Sequence, residues 1–172
     1  VWNLMSGQCE VVLTGHTECV TAVCVLPDGR IVSSAADASL RVWNLASGEC
    51  DVVMIGHTNW VKTASVLPDG RIVSLGCDTT LRVWNLTSGE CDAVMKGHGQ
   101  LLVMCVLPNG RVMSGDSEGT LQVWDPTSGE IKMLADHIVT ALCVLSDGQV
   151  VSGGHTGTLH VWDLASGESR VL

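Results

Sequence analysis

Histidine, serine and carboxylate side chains recur along this chain in one order and at fixed spacing. In the first copy Ser33 follows His16, and Asp37 follows Ser33 after four residues. The same three residue types supply the base, the nucleophile and the orienting acid of many hydrolases. However, the pattern occurs four times, with its acid position always six residues ahead of a tryptophan (Trp43 in the first copy). One nucleophile would suffice for an enzyme, so the copies favour an architectural role, and we predict no catalytic residues.

No cluster in the sequence has the spacing of a metal or cofactor site. There is no Cys-x-x-Cys, no His-x-x-x-His and no glycine-rich phosphate loop, since Gly153-Gly154 is an isolated pair. We therefore predict no metal and no cofactor. Cys9, Cys50 and Cys91 recur every 41 residues, so the eight cysteines are interpreted as strand residues copied with a repeat. Reduced cysteines are typical of the cell interior, which predicts an intracellular, cytoplasmic protein.

The charge and the apolar runs of the sequence argue against two classes of partner. Nine Lys and Arg are scattered singly among 172 residues, and the net charge is −9. Neutralising phosphates needs clustered cations, which argues against nucleic acid. No apolar run approaches the ~20 residues of a membrane-spanning helix, which argues against a membrane. Phe and Tyr are absent, and the Val-rich apolar residues that remain favour strands.

An internal repeat defines the elements that position these residues. Tryptophans in a Val-Trp-Asn/Asp string stand at 2, 43, 84, 124 and 162, with gaps of 41, 41, 40 and 38 residues. Each unit contains four short apolar runs separated by turns. Its Asp-Gly or Asn-Gly pair, such as Asp28-Gly29, predicts a type I′ hairpin turn. A four-stranded antiparallel sheet repeated about every 40 residues is typical of a propeller blade.

Two dipeptides in register resemble the marks of the WD40 family, and the resemblance covers essentially the whole chain. The first mark, before the inner strand, occurs as Gly15-His16, Gly56-His57, Gly97-His98 and, in altered form, Asp136-His137. The second mark, Trp-Asp, closes the third strand at Trp124 and Trp162, whereas Asn follows Trp43 and Trp84. The resemblance implies an all-β, WD40-type β-propeller with four four-stranded antiparallel blades in this chain.

The resemblance also implies a buried hydrogen-bond chain of His, Ser, Asp and Trp in each blade. The four sets are His16, Ser33, Asp37 and Trp43; His57, Ser74, Asp78 and Trp84; His98, Ser114, Glu118 and Trp124; and His137, Ser152, Thr156 and Trp162. An indole N–H only donates, a serine hydroxyl accepts and donates, and histidine can donate to a carboxylate. Because the fourth set has Thr156 in the acid position, we expect blade four to be the least stable.

Members of this family bind partners on the face where the loops enter the inner strands, at three positions per blade. Carried over to this chain, the positions are Cys19, Thr21 and Ala36; Trp60, Lys62 and Cys77; Gln100, Leu102 and Ser117; and Ile138, Thr140 and His155. Trp60 either anchors a partner, as tryptophan often does at hot spots, or packs on its own loop. Lys62 either contacts an acidic partner or is an ordinary solvated lysine, and His155 is either a ligand or a surface residue.

The chain is expected to form one propeller domain, 1–172, which begins with an outer-strand segment and continues with four blades. The segment is 1–13, and the blades are about 14–54, 55–95, 96–134 and 135–172. Four blades are few for a ring, and an open arc would expose apolar faces. The first expectation is therefore an eight-bladed ring closed by two chains as a homodimer. A piece of a longer propeller and a strained four-bladed ring are the alternatives.

The function implied by the resemblance is that of a scaffold which binds other proteins or peptides. The alternatives are a purely structural blade array, whose function is assembly, and a fragment of a larger regulatory protein. An enzyme would need a unique polar cluster that breaks the repeat, and none is visible in the sequence, so we predict a protein that is not an enzyme.

Overall fold

The computed structural model of this chain consists of β-strands joined by turns. It describes residues 1–97, 99–136, 138–155, 157–164 and 166–172, except for the side chains of Ala135 and Asp136. Sixteen strands lie within these ranges. The described part of the chain has no helix with the length and hydropathy needed to span a bilayer.

The strands form four sheets of four, which are the four predicted blades. Blade one contains β1 (Val20–Val25), β2 (Ile31–Ala35), β3 (Ser39–Trp43) and β4 (Cys50–Ile55). Blade two contains β5 (Val61–Val66), β6 (Ile72–Gly76), β7 (Thr80–Trp84) and β8 (Cys91–Lys96). Blade three contains β9 (Leu101–Val106), β10 (Val112–Asp116), β11 (Thr120–Trp124) and β12 (Ile131–Asp136). Blade four contains β13 (Val139–Val144), β14 (Val150–Gly154), β15 (Leu159–Trp162) and β16 (Ser169–Val171).

Within each sheet the strands are antiparallel and lie in sequence order, so every connection is a hairpin. The outer strands β4, β8 and β12 end one or two residues beyond the expected blade boundaries. The Asp28-Gly29 turn is a hairpin, but the prediction of type I′ is wrong. Gly29 has a φ of 87° and Asp28 is not among the residues with positive φ, whereas type I′ needs positive φ at both positions.

Neighbouring blades share three apolar clusters, because side chains alternate between the two faces of each strand. We call the face that carries the second-strand serine and the third-strand tryptophan the tetrad face of a blade. The tetrad face of blade two, with Ile72 and Trp84, packs on the opposite face of blade one, with Leu40 and Val42. Blades two and three pack in the same way, and so do blades three and four.

Among the described residues, no other blade packs on the two end faces of this array. On the tetrad face of blade one Val20 is 54 % exposed, although the corresponding Val61 of blade two is fully buried. On the opposite face of blade four Leu159 is 49 % exposed, although the corresponding Leu40 and Leu81 are fully buried. The four blades therefore form an open array, and the alternative of a closed four-bladed ring is wrong.

Candidate functional site

The hydrogen-bond chain implied for each blade is present in blade one. The Trp43 Nε1–H donates to Ser33 Oγ at 2.7 Å, and Ser33 Oγ lies 2.7 Å from Nε2 of His16. Nδ1 of His16 lies 2.9 Å from a carboxylate oxygen of Asp37. The end of the third strand, the middle of the second strand and the loop before the first strand are thereby joined.

The Asp37 carboxylate, at the end of this hydrogen-bond chain, also binds two backbone amides. Asp37 accepts hydrogen bonds from the Thr17 N–H at 3.0 Å, the Ser39 N–H at 3.0 Å and the Ser39 hydroxyl at 2.6 Å. Burial raises the pKa of the Asp37 carboxyl, but the hydrogen bonds to it together outweigh burial and hold that pKa well below its usual range. An ionised Asp37 thus connects the loop before β1 to the turn before β3.

Blade two repeats the arrangement with deeper burial. Its Trp84–Ser74, Ser74–His57 and His57–Asp78 distances are 2.8, 2.7 and 2.9 Å. Burial lowers the pKa of the His57 imidazole below its ordinary value, against the opposing effect of Asp78. A neutral His57 that donates from Nδ1 to Asp78 leaves Nε2 as an acceptor for the Ser74 hydroxyl. Every donor in this hydrogen-bond chain then has one acceptor.

Blade three uses a different carboxylate from the one predicted. Glu118 is exposed, so its assignment to the buried set is wrong. Asp116 is buried instead and accepts hydrogen bonds from the Thr120 N–H at 2.8 Å and the Gly99 N–H at 3.3 Å. In blade one the equivalent amides, those of Ser39 and Thr17, donate to Asp37. The Trp124–Ser114 bond, at 2.6 Å, is kept, and His98 lies outside the described residues.

The signal for Asp116 was present in the sequence as a second acid two residues before Glu118. Ser114 and Asp116 are two residues apart on β10, so they lie on the same face of the strand. Spacing predicts Glu118 because it precedes Trp124 by six residues, as Asp37 precedes Trp43. The fixed spacing therefore located the site correctly but selected Glu118 in place of Asp116.

Blade four keeps only part of the arrangement among the described residues. The Trp162 Nε1–H donates to Ser152 Oγ at 2.8 Å. His137 and Thr156, the other two predicted members, lie outside the described residues. A histidine that was not predicted, His160, stacks on Trp162 with ring centroids 6.1 Å apart. Arg41 occupies the corresponding place beside Trp43 in blade one.

The geometry of the complete sets suits a structural role. Ser33 and Ser74 are buried, and each Oγ accepts the indole N–H of its blade. A nucleophilic serine needs a lone pair and space for a substrate carbonyl. Here indole and imidazole occupy both sides of the hydroxyl. Within the described residues, moreover, no group of three His, Cys, Asp or Glu side chains is arranged to hold a metal ion.

The predicted loop-face residues of blades one to three are brought together in pairs by backbone hydrogen bonds. The pairs are Ala36 N–H to Cys19 C=O at 2.9 Å, Cys77 N–H to Trp60 C=O at 2.7 Å, and Ser117 N–H to Gln100 C=O at 2.9 Å. Cys19, Gln100, Ser117, Thr140 and His155 are exposed, whereas Ala36, Cys77, Leu102 and Ile138 are half-buried. All eight cysteines of the chain are free thiols.

Two of the loop-face residues join neighbouring blades. The Thr21 hydroxyl donates to the Val61 carbonyl at 2.5 Å, and the Lys62 ammonium donates to the Leu101 carbonyl at 2.7 Å. In each case the acceptor is the first residue of the next inner strand. Neither expectation for Lys62 describes this contact, because sequence spacing does not show which carbonyl the next blade presents.

Trp60 is a largely exposed residue of the loop face. Trp60 is 59 % exposed, so much of its surface is open to solvent, and both expectations for this residue stay predictions. Its backbone is held on both sides, because its N–H donates to Asn59 Oδ1 at 2.8 Å and its carbonyl accepts from Cys77. The loop therefore presents a large aromatic side chain from a fixed backbone.

One family matches the chain along most of its length. The family described as "WD domain, G-beta repeat" matches residues 7–44, 48–85, 89–125 and 129–163. Each match begins near a Ser-Gly turn and ends just after a third-strand tryptophan, so one family repeat runs from the outer strand of one blade into the next blade. No curated protein matches the chain significantly.

Proposed function

This chain belongs to the WD40 family, and from that membership we propose that it is a protein-interaction scaffold with no catalytic activity of its own. WD40 repeats generally mediate protein–protein interaction, and WD40 propellers are typically non-catalytic. In this proposal the loop face binds a protein or peptide. The eight free thiols support an intracellular, reducing location as part of the same proposal.

The exposure of Trp60 is the observation that carries the proposal. An indole buries a large apolar area at low entropic cost, since it has only two side-chain torsions. At Trp60 the backbone is already fixed by Asn59 and Cys77, so a partner would order only the side chain. Binding would bury the indole and leave its N–H to find an acceptor on the partner.

The other loop-face positions indicate the chemistry of the partner. The exposed positions Cys19, Gln100 and Ser117 are uncharged, and the Lys62 ammonium already donates to a carbonyl within the protein. We therefore expect a peptide segment with an apolar or aromatic side chain that covers the indole, flanked by backbone or polar side chains that hydrogen-bond to the rim.

A displayed library of random linear peptides, selected on the wild-type chain, tests this proposal. Peptides selected in this way should bind the Trp60→Ala variant at least about tenfold more weakly, because the anchor of a hot spot is lost. Affinity is measured by fluorescence polarisation of labelled peptides. Val94→Ala, an exposed residue on the outer strand β8 of the same blade, is the matched control and should bind like wild type.

Two results would contradict the loop-face proposal. One is that the selection yields no specific peptide at all. The other is that the selected peptides bind the Trp60→Ala variant as tightly as wild type. Circular dichroism of both variants checks that the fold is unchanged, since neither side chain lies in an apolar cluster between blades.

The uncovered end faces favour a second function, which is assembly into an eight-bladed ring of two chains. Inside the array every opposite face is covered by the tetrad face of the next blade. The uncovered face of blade four is the repeat equivalent of those opposite faces, and the uncovered face of blade one is the equivalent of those tetrad faces. A second copy of the chain would place its blade one on the end face of blade four and its blade four on the end face of blade one. Cyclic symmetry would then close the ring.

The blade-to-blade hydrogen bonds predict one specific contact of that ring. Thr21 donates to the first residue of the next inner strand, and Lys62 does the same. Thr140 is the equivalent residue of blade four, where it is exposed. In the ring its hydroxyl would donate to the Val20 carbonyl of the second copy.

Light scattering on a sizing column tests the ring directly. One chain has a mass of 18.1 kDa, so the proposal requires a species of about twice that mass. Leu159→Asp places a charge on the uncovered face of blade four and should give a monomer, whereas Val94→Asp on the outer strand should not. A single-chain mass for wild type at high concentration would reject the ring and favour a piece of a longer propeller.

A further inference from the structure

The segments that form the loop face of blades one to three contain carboxylates and no lysine or arginine. These segments are the loops before the inner strands and the turns before the third strands. They cover residues 14–19, 36–38, 56–60, 77–79, 97–100 and 117–119. Their four acids are Glu18, Asp37, Asp78 and Glu118. The loop face of these blades is therefore acidic.

Two of these acids are available to a partner. Asp37 and Asp78 are half-buried and are bonded to the histidines of their blades. Glu18 and Glu118 are exposed instead. Among the described residues no cationic side chain forms an ion pair with either of these two carboxylates. Their negative charges therefore face solvent without a counter-charge from the protein.

The opposite end of the same blades differs in this respect. We call it the turn end, because it carries the Asp-Gly or Asn-Gly turns and the Ser-Gly turns. Every ion pair between an arginine and a carboxylate among the described residues lies there. Those within one blade's turns are Arg30–Asp28 at 2.9 Å, Arg71–Asp69 at 2.8 Å and Arg111–Asp125 at 3.4 Å. Arginine thus compensates part of the acid at the turn end, whereas it compensates none on the loop face.

The two lysines closest in sequence to the loop-face segments do not change this. The Lys62 ammonium donates to the Leu101 carbonyl and is already engaged within the protein. Lys96 is the last residue of the outer strand β8. Three strand spacings of about 4.8 Å each separate β8 from β5, the inner strand that follows Trp60. Lys96 is therefore a cation of the outer rim.

Hydrogen bonds between blades connect Glu18 to one side of the Trp60 loop. The Thr21 hydroxyl of blade one donates to the carbonyl of Val61, the residue that follows Trp60. Glu18 precedes Thr21 by three residues, in the loop that enters the same inner strand. The entry loop of blade one therefore borders the entry loop of blade two.

A second set of hydrogen bonds connects Glu118 to the other side. Lys62, two residues after Trp60, donates to the carbonyl of Leu101 in blade three. Gln100, the residue before Leu101, accepts a hydrogen bond from the Ser117 N–H at 2.9 Å. Glu118 follows Ser117 in that turn. The exposed indole thus belongs to the middle blade of three, and each outer blade adds one unpaired carboxylate to the loop face.

We propose that the partner of the loop face is a basic peptide segment, whose Lys or Arg side chains pair with Glu18 and Glu118 on the two sides of the residue that covers Trp60. The inference rests on the loop-face binding of the proposed function and adds the charge of the partner. Lys and Arg suit this surface, because their apolar stems can pack on an indole while their charged ends reach a carboxylate. Complementary charge also speeds association and disfavours acidic competitors.

Peptides selected from a random displayed library on the wild-type chain are the probe. Those that lose affinity for the Trp60→Ala variant should be enriched in Lys and Arg over the unselected library. In fluorescence polarisation, Glu18→Gln and Glu118→Gln should each weaken these peptides by about threefold, and the double variant by about tenfold. Glu90→Gln is the matched control, because it removes the same charge from an exposed residue at the turn end of blade two. It should bind like wild type.

Salt and peptide charge provide an independent measurement. Raising the salt concentration from about 0.1 M to about 1 M shortens the screening length from about 10 Å to about 3 Å. Wild type should lose affinity over this range, and the Glu18→Gln, Glu118→Gln double variant should lose less. Each peptide is also made with glutamine in place of its Lys and Arg. That neutral peptide should bind wild type and the double variant alike, because the carboxylates then have no cation to pair with.

The failure of this inference and the failure of loop-face binding have different signatures. If the Trp60-dependent peptides are not enriched in Lys and Arg, or bind the double variant as tightly as wild type, the loop face still binds peptides and only the basic partner is rejected. An equal loss in Glu90→Gln would also reject it, because the effect would then come from net charge alone. If no selected peptide depends on Trp60, loop-face binding is rejected and the basic partner with it.

Discussion

Blades two and four share a strand order and a Trp–Ser hydrogen bond, but they differ in what surrounds them. The bond is 2.8 Å in both, from Trp84 to Ser74 and from Trp162 to Ser152. Blade two has a neighbour on each face, whereas one face of blade four is uncovered. Blade two also has the carboxylate of Asp78, and the sequence of blade four has threonine at that position.

This difference separates what forms a blade from what stabilises it. The Trp–Ser bond and the hairpins are present in both sheets, so they are enough to define a blade. Among the described residues, blade two has a buried carboxylate and a second neighbour, and blade four has neither. We therefore expect the two blades to fold alike and to differ in stability, and five measurements can break or sharpen that contrast.

The largest effect is expected from removing a leucine at the same position in a covered and an uncovered face. Leu81→Ala should lower the free energy of unfolding by about 3 kcal/mol, because it leaves a cavity in a filled cluster. Leu159→Ala should cost less than about 1 kcal/mol in dilute monomer. Denaturant unfolding measures both, and equal losses in the monomer would show that the end face is covered.

Blade three can test the role of the buried carboxylate, because its sequence offers two acids, Asp116 and Glu118. Asp116→Ala should destabilise the protein by about 2–3 kcal/mol, since it leaves the buried Thr120 N–H without its acceptor. Glu118→Ala, at an exposed position, should stay within about 0.5 kcal/mol of wild type. The assignment of the acid role to Asp116 fails if Glu118→Ala is the more damaging change.

Hydrogen exchange compares blades two and four directly. The amides of β13, β14 and β15 should exchange at least about tenfold faster than those of β5, β6 and β7, which corresponds to about 1.4 kcal/mol of local stability. The physical reason is the uncovered face of blade four and the threonine in its acid position. The expectation is wrong if the amides of 138–163 are the best protected in the chain.

Acid should reduce the contrast between the two blades. Burial lowers the pKa of His57 below its ordinary value of 6.5, so the unfolded chain binds a proton before blade two does. This stabilisation is complete above pH 6.5 and is lost as the pH falls through the lower folded-state pKa. The Asp78 carboxyl, whose hydrogen bonds outweigh burial and lower its pKa, loses its own contribution below its ordinary value of 3.8.

Exchange measured at neutral and mildly acid pH tests this behaviour. Protection of β5, β6 and β7 should fall on acidification, with the His57→Gln variant as a control whose side chain cannot titrate. If wild type and that variant respond to pH alike, His57 is not the cause.

The smallest effect concerns backbone strain at the turn before the third strand. Thr79 in blade two has a φ of 64°, which is costly for a β-branched residue, whereas blade four has Gly157 there with a φ of 74°. Thr79→Gly should therefore stabilise blade two by about 1 kcal/mol, and Gly157→Ala should destabilise blade four by a similar amount. Thermal unfolding measures both, and a loss of stability in Thr79→Gly would refute the strain argument.

The candidate site was predictable where it depends on the repeat and not where it depends on neighbours. The tetrads of blades one and two were identified because residue type and spacing recur together. Asp116 was missed because it reaches the same amides from a different residue of the strand, which only the sheet register reveals. The contact of Lys62 was missed because its acceptor, Leu101, belongs to the next blade.

The sequence by itself determined four four-stranded blades, their family and the positions of the buried serines and tryptophans, because the alternation and turn residues that specify them are local. Only the tertiary structure decided which carboxylate serves blade three, how Lys62 is held, that Trp60 is largely exposed, and that no other blade packs on the two end faces. These features depend on which surfaces meet between sheets, and a side chain's neighbours across a blade interface are fixed by packing rather than by its place in the chain.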